Sequence, residues 1–360
     1  MNVLPVEEVK VDYASIEKSL AELWRGEKGE GEHAVTRAAL WNVVAHTARR
    51  DHQTHASEVL GRASASVPQR TIVIRAEPNA EPEITSWISA NCHLLGGEKQ
   101  VCSEEVTIVA GGDRVERVPP LVNALLIPDM PVAVWWVGDL PNENASYVDS
   151  LLEPADRLIV DSSEFDSPKD MELVSRVASH TTTAPADLNW VRLEEWRVAA
   201  AMLFDPPAIR PRLHRIRALR IVACSTASKV FGDSTESLLF AAWLSTQAGH
   251  HVEDDGRVMS GAGPIEYQLT TEQRPIDHGS LCRLDIEFDD KAVATIVRDD
   301  EKRVLIASFE GVRQTLDCVT RVLSRGVDDL IVRQLKRPEA DRVFIRALPV
   351  AVRLAPRIVA

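Results

Sequence analysis

The strongest constraint on the fold is an alternation of short apolar, β-rich runs with segments of helical periodicity. LWNVVAHT (40–47) and RTIVIRA (70–76) flank a helical stretch at 51–64, and parallel strands need a crossover of about this length. The alternation continues with PVAVWWV (131–137) and RLIVD (157–161). Nearly continuous apolar strands are typical of a sheet covered on both faces. The sequence therefore predicts a three-layer α/β domain with a mostly parallel sheet.

Three parts of the chain differ in pattern. Residues 1–35 contain DYASIEKSLAELWR followed by GEKGEGE, which predicts an N-terminal helical arm whose apolar stripe packs on its own domain. An α/β domain is predicted over 36–208 and an α+β domain over 209–360. The boundary is placed at DPPAIRPR (205–212) because three prolines in eight residues interrupt regular structure. A boundary nearer residue 165 is the alternative.

The α+β domain is predicted to contain an antiparallel meander. Turn sequences at DD (289 and 290) and DDEK (299–302) separate short β-rich runs. The predicted elements are a strand at 214–224, a helix at 233–247, strands near 264–270, 281–288, 291–298 and 303–308, and helices at 312–324 and 327–336.

Cys92 and Cys102 bracket a predicted β-hairpin at Gly96 and Gly97. A two-residue turn pairs Cys92 with Val101 and puts the thiols on opposite faces of the sheet, whereas a three-residue turn pairs Cys92 directly with Cys102. The two cysteines are therefore a candidate redox pair. The alternative is that all five cysteines are free thiols, which is the usual state in a reducing compartment.

The net charge of −13 argues against nucleic-acid binding, because phosphate contacts need clustered Lys and Arg. The charge is uneven: 18 basic and 33 acidic residues up to residue 208 give −15, and 23 basic and 21 acidic residues after it give +2. Seven basic residues stand against two acidic ones over 333–357, and this basic tail is a candidate to dock either on the acidic first domain or on an acidic partner. No apolar stretch approaches the roughly 18 residues of a membrane span. With no signal-peptide pattern at MNVLPVEEVK, we expect a cytoplasmic protein.

Common catalytic motifs are absent from the sequence. The first strand is followed by ARRDH rather than a G-x-G-x-x-G loop, and Walker A, G-x-S-x-G and H-E-x-x-H patterns do not occur. The sequence thus predicts no catalytic residue, cofactor site or metal site. Arg49 and Arg50 stand at the carboxyl end of the first strand of the α/β domain and are a candidate anion site. A solvated helix start is the alternative.

Tryptophan and arginine cluster unusually in DLNWVRLEEWR (187–197). Both residue types dominate interface hot spots, so we consider this group a candidate partner interface, with a buried Trp braced by Arg stems as the alternative. Trp135 and Trp136 are adjacent on a strand and must face opposite sides of the sheet. Trp136 is therefore either core or an exposed anchor. The candidate interface residues are Trp136, Trp190, Arg192, Trp196 and Arg197.

Longer stretches resemble a known family. They are TRAALWNVV (36–44), PQRTIVI (68–74), CSEEV (102–106), LIPDMPVAVWWVGDLP (126–141), ADRLIVDS (155–162) and DLNWVRLEEWR (187–197). Together they resemble the glucose-6-phosphate dehydrogenase assembly protein OpcA family, and the resemblance is clearest over 36–205.

This resemblance implies a non-catalytic partner that binds glucose-6-phosphate dehydrogenase and promotes its active oligomer. Such an allosteric activator would support the oxidative pentose phosphate pathway and the NADPH supply. The other hypothesis from the sequence is a sugar-phosphate-binding sensor or enzyme, with its site at the strand ends near Arg49, Arg50 and Asp161.

Overall fold

A computed structural model describes residues 4–5, 8–26, 34–95, 99–138, 140, 146–225, 231–273, 281–310, 316–323, 325–337 and 339–358. The chain forms two compact units, and each contains more than one segment of the sequence. The first consists of Met1–Val160, Thr181–Ala186 and Gly326–Ala340, and the second of Asp161–His180, Asp187–Arg325 and Asp341–Ala360. Residues 161–180 and 187–208, which the sequence placed in the α/β domain, therefore lie in the second unit.

Helices and strands alternate along most of the chain. The helices are α1 (Ile16–Gly26), α2 (Arg50–Ala63), α3 (Val118–Leu125), α4 (Ser146–Leu152), α5 (Pro168–His180), α6 (Leu188–Arg192), α7 (Glu194–Phe204), α8 (Gly232–Gln247), α9 (Val327–Lys336) and α10 (Arg342–Ile358). The strands are β1 (Leu4–Pro5), β2 (Val9–Val11), β3 (Ala34–Arg37), β4 (Trp41–Thr47), β5 (Gln69–Glu77), β6 (Ile84–Leu95), β7 (Lys99–Gly111), β8 (Val132–Trp136), β9 (Arg157–Val160), β10 (Ala184–Asp187), β11 (Ile216–Ser225), β12 (His251–Val252), β13 (Val258–Ser260), β14 (Gly263–Pro264), β15 (Glu266–Gln273), β16 (Leu281–Phe288), β17 (Val293–Asp299), β18 (Val304–Glu310) and β19 (Leu316–Arg321).

The first unit is built on a mostly parallel sheet, which confirms the predicted α/β fold class. Its strand order is β1-β6-β7-β5-β4-β8-β9-β10, with β2 also paired to β6 and β3 to β7. Strand β4 pairs in parallel with β5 on one side and with β8 on the other. Helix α2 packs on β4 and β5, and Tyr147 of α4 lies against His46, while His55 of α2 lies against Trp135. Helices therefore cover both faces of the sheet.

The N-terminal arm packs on its own unit, as predicted from its apolar stripe. Helix α1 lies on β6, and the side chains of Ile16 and Leu20 are buried. Leu23 packs on the cluster formed by Cys92 and Cys102 with Ala90. Burial of one apolar stripe gives this short helix its stability, because isolated helices of such length are marginal in water.

Arg157 fixes helix α9 in the first unit. Its guanidinium donates hydrogen bonds to the carbonyl of Gln334 and, at 3.1 and 3.2 Å, to the carbonyls of Arg337 and Glu339. These carbonyls lie at or just beyond the end of α9, where most carbonyls have no partner within the helix. A cation there also interacts favourably with the helix dipole.

The second unit contains the predicted meander. Its six-stranded sheet has the order β15-β11-β16-β17-β18-β19, in which β11 and β15 are parallel and the other pairs antiparallel. Residues along β16, β17 and β18 alternate between buried and less buried side chains. Helices α7 and α8 pack against this sheet, so one face forms the core.

Two sequence-based assignments in this unit need correction. The helix predicted at 312–324 is wrong over 316–321, where the chain forms β19 and pairs with β18 from Leu316 to Arg321. The β-branched Val319 fits opposite Ile306 in that ladder. No element was assigned to 342–358, yet this basic segment forms α10 and contains Pro349 and Pro356.

The expectation that all five cysteines are free thiols is also wrong. Cys92 and Cys102 are directly opposite in the β6–β7 register, with Cα atoms 4.0 Å apart, and they form a disulfide. Cys224 and Cys282 form a second disulfide, and Cys318 is free. The direct pairing of Cys92 with Cys102 is therefore the correct one of the two alternatives. Residues 96–98, where the hairpin turn was predicted, lie outside the described residues.

Candidate functional site

The carboxyl ends of β4 and β8 form the topological switch point of the first unit. Strand β4 comes before its neighbours in the chain, and the chain then adds β5 on one side and β8 on the other. In open α/β sheets, ligands bind in the crevice outside such strand ends. Here the strands end at Thr47 and Trp136.

Aromatic side chains fill one side of this switch point. The rings of His46 and Trp136 stack with centroids 4.0 Å apart, and Tyr147 lies 5.7 Å from His46. His46 is only 2% exposed, and neither of its ring nitrogens has a hydrogen-bond partner among the described residues. Burial lowers the pKa of His46 to about 3, so the imidazole is neutral at pH 7.

The other side of the switch point is closed by a direct approach of helix α2. Gly138 follows β8 with φ of 82°, and a Cβ placed there would lie 2.5 Å from the His52 ring. Only glycine fits such a position. The turn from β4 to α2 contains Ala48 and Arg49 and no glycine, so it lacks the bare backbone that a pyrophosphate needs.

The candidate anion site is partly engaged in an internal ion pair. Arg49 precedes α2, and its guanidinium lies 2.6 Å from the Asp51 carboxylate. Hydrogen bonding and charge from Arg49 lower the pKa of Asp51 to about 2. Arg50 is the first residue of α2. Arg49 and Arg50 belong to the first unit and Asp161 to the second.

The candidate interface tryptophans are interior residues. Trp136, Trp190 and Trp196 are 3%, 1% and 5% exposed. The Trp190 Nε1 donates to Asp341 Oδ2 at 3.0 Å, and the Arg197 guanidinium lies 3.7 Å over the Trp190 ring and donates to its carbonyl. Burial of a Trp braced by an Arg stem was the alternative raised from the sequence. None of the three indoles can contact a partner in this conformation.

Arg192 belongs to a buried charged cluster in the second unit, which the sequence did not reveal. Its guanidinium donates to both Asp161 carboxylate oxygens at 2.7 Å. Asp187 accepts from the backbone N–H groups of Ser162 and Asn189 at 3.0 and 2.9 Å. The charges of Asp161 and Asp187 therefore both act on the Arg192 guanidinium. Glu236 is buried and acts on the same guanidinium.

The cluster separates the pKa values of its two aspartates. Burial opposes ionisation of Asp161, but the charge and hydrogen bonds of Arg192 outweigh it and lower the Asp161 pKa. Burial and the Asp161 charge raise the pKa of Asp187 to about 6. One feature of the sequence points to this cluster, namely aspartates at the ends of strands. Asp161 directly follows β9, and Asp187 is the last residue of β10. In the described part of the chain, no group of His, Cys, Asp and Glu residues could hold a metal ion.

Two family models match the sequence. Both describe a subunit of glucose-6-phosphate dehydrogenase: the model of its N-terminal domain matches residues 61–176, and the model of its C-terminal domain matches residues 183–348. The chain belongs to the OpcA family. No helix in the described part of this OpcA-family chain has the length and apolar character to span a bilayer.

Cyanobacterial relatives support this assignment. Proteins named OxPP cycle protein OpcA from Synechocystis sp. and Synechococcus elongatus are each 28% identical, over 186 and 184 residues. The alignments cover 51% of this chain and 38% and 40% of the relatives. The match therefore spans less than half the length of each relative.

The fold of this OpcA-family chain is similar to that of a dehydrogenase. Glucose-6-phosphate 1-dehydrogenase from Mycobacterium avium matches with a TM-score of 0.52 at 11% sequence identity. The match covers 89% of this chain and 91% of the dehydrogenase chain. At this identity the similarity concerns the fold alone.

Replacing His46 with phenylalanine removes two ring nitrogens that find no hydrogen-bond partner in the described part of the chain and keeps a ring against Trp136. We expect H46F to raise the free energy of unfolding by about 1–2 kcal/mol at pH 7. Because the folded-state pKa of His46 is about 3 and its ordinary value is 6.5, the wild-type imidazole takes up its proton only on unfolding. The advantage of H46F should therefore grow by up to about 1.4 kcal/mol per pH unit below that ordinary value. Urea unfolding between pH 5 and 8 measures this difference.

The control is H55F, which makes the same change at an exposed histidine. Other shifted groups, such as Glu105 with its burial-raised pKa of about 7, are common to both proteins and cancel in the difference. A difference between H46F and wild type that does not change with pH would contradict the neutral buried state of His46.

Removing the Arg192 charge should leave Asp161 buried and unpaired. We expect R192M to lower the free energy of unfolding by about 3–5 kcal/mol. The double variant D161N/R192M should recover about half of that loss or more, because it removes the isolated carboxylate. Urea unfolding of the three proteins at pH 7 tests this coupling. A loss below about 1 kcal/mol for R192M would show that the cluster is not a tightly coupled ion pair.

Proposed function

We propose that this chain is a non-catalytic assembly factor and activator of glucose-6-phosphate dehydrogenase. It would bind that enzyme, promote its active oligomer, and so support the oxidative pentose phosphate pathway and NADPH supply. The observation that carries the proposal is a dehydrogenase-like fold whose switch point is filled by its own His46, Trp136 and His52 side chains. The description of the family as part of the dehydrogenase names the partner.

Activation of this kind needs only a modest difference in affinity. A partner shifts an equilibrium between two enzyme states by as much as it binds one state more tightly than the other. A tenfold shift requires about 1.4 kcal/mol. A surface with a few well-placed side chains can supply this, and no chemistry by the chain itself is required.

Titrating purified dehydrogenase with this chain tests the proposal. At fixed glucose 6-phosphate and NADP, we expect dehydrogenase activity to rise and saturate, and light scattering to show a larger oligomer over the same range. The chain alone should form no NADPH. If neither activity nor oligomer size changes, the assembly role is refuted.

The sugar-phosphate hypothesis is tested in the same preparation. Glucose 6-phosphate, 6-phosphogluconate or NADP should leave the melting temperature of the isolated chain unchanged. A rise with any of them would support a ligand site near Arg49 and Arg50 instead.

We also propose that the Cys92–Cys102 disulfide is reversible. The bond lies in a buried cluster under Leu23 of α1, and we place the protein in the cytoplasm, where disulfides are usually transient or redox-sensing. Reduction would break the covalent bond between β6 and β7 beneath helix α1.

A serine pair tests this redox role. If the bond matters, reductant should change the activation of the dehydrogenase by wild type but not by C92S/C102S, and C318S should behave as wild type. Identical responses of wild type and C92S/C102S to reductant would assign the bond a purely structural role.

A further inference from the structure

The sheet of the second unit has one face that its helices do not bury. On β17 and β18 the buried side chains alternate with exposed or half-buried ones. Helix α7 packs against β17, β18 and β19, where Ile296 and Ala307 form the buried side. The opposite side carries Ile306 and Val319, which are 36% and 62% exposed in the whole chain.

The strand register places the apolar side chains of this face in one row. Val297 is opposite Ile306, and Ile306 is opposite Val319. On the other side Val297 is opposite Arg283, which is opposite Val222. Val222, Val297, Ile306 and Val319 are therefore aligned across the sheet. We call these four residues the apolar row.

The one charge within the row is neutralised inside the face. The Arg283 guanidinium donates to both oxygens of Asp285 at 2.8 and 2.9 Å. The pair lies along β16, so the Arg283 stem stays in the row while its charge is engaged. The result is a strip of β-branched side chains, which suits contact with another protein.

An acidic row runs parallel to the apolar row. Glu266 is opposite Ala218, Ala218 is opposite Glu287, and Val293 is opposite both Glu287 and Glu310. Glu287 is paired with Arg220. Neither Glu266 nor Glu310 lies within 4 Å of a basic group among the described residues, and Glu310 acts on Arg283 only through longer-range charge attraction. This acidic row is defined by Glu266, Glu287 and Glu310.

We propose that this face is the docking surface for the dehydrogenase, an inference that rests on the proposed function. The charge pattern requires a partner surface with an apolar strip flanked by Lys or Arg. It does not suit nucleic acid, whose phosphates would be repelled by the acidic row. The six strands of this sheet lie within residues 183–348, which match the C-terminal domain of the family.

The test uses the full chain and purified dehydrogenase, with the dissociation constant measured by calorimetry. V319D places a charge in the exposed part of the apolar row, and V9D makes the same change at a valine that is 47% exposed in the first unit. We expect V319D to raise the dissociation constant at least tenfold, and V9D to leave it within about twofold. Melting temperatures of both variants show that the fold is retained.

A second variant tests the acidic row independently. E310K should weaken binding about threefold at low ionic strength, and the effect should shrink as salt is added. If wild type binds the dehydrogenase and V319D binds equally well, the docking surface is refuted while the proposed function stands. If wild type does not bind at all, both fail. If V319D instead abolishes self-association of the chain, the occupant is a second copy and the inference is overturned.

Discussion

The parallel pairing of β4 on both of its edges determines most of the first unit. Six of the seven β4 residues are buried, so its neighbours β5 and β8 must also be apolar and must be covered by helices on both faces. The pairing brings His46 beside Trp136 at the switch point. With that position occupied by side chains, the described residues of the unit leave no open crevice at the switch point, where ligands bind in other open α/β sheets.

A buried charge cluster has the corresponding role in the second unit. Arg192 holds Asp161 ionised, and Asp187 uses one carboxylate oxygen to accept the N–H groups of Ser162 and Asn189. These bonds tie α6 to the start of the unit. The same segment buries Trp190 under Arg197. The density of Trp and Arg in 187–197 is therefore explained by internal packing, and the apolar row lies elsewhere, on the sheet.

Periodicity in the sequence correctly predicted those helices and strands whose own apolar pattern is enough to identify them. Helices α2, α8 and α9 and strands β4, β5, β8 and β9 agree with the predicted positions because each contains an uninterrupted apolar pattern. The register of β6 against β7 depends on the length of the turn between them, which composition does not determine. In the structure Cys92 is opposite Cys102.

Elements that depend on distant partners were not predictable in the same way. The sequence of β19 is compatible with a helix. It forms a strand because its backbone pairs with the edge of β18. Helix α10 contains two prolines and is stabilised by packing on α8 and α5. The burial of Trp136 likewise depends on His46 of β4, and that of Trp190 on Asp341 and on Phe344 of α10, all far away in sequence. The sequence does not reveal these distant contacts, so the residue types alone suggested a partner interface at Trp136 and Trp190.

The central claim is that this chain acts on glucose-6-phosphate dehydrogenase by joining it. Mass photometry of the two purified proteins, separately and mixed, tests this most directly. The account predicts particles in the mixture whose mass exceeds that of the dehydrogenase by whole multiples of the 39.8 kDa chain, with unbound chain depleted accordingly. A mixture whose mass distribution is the simple sum of the two separate proteins would contradict it.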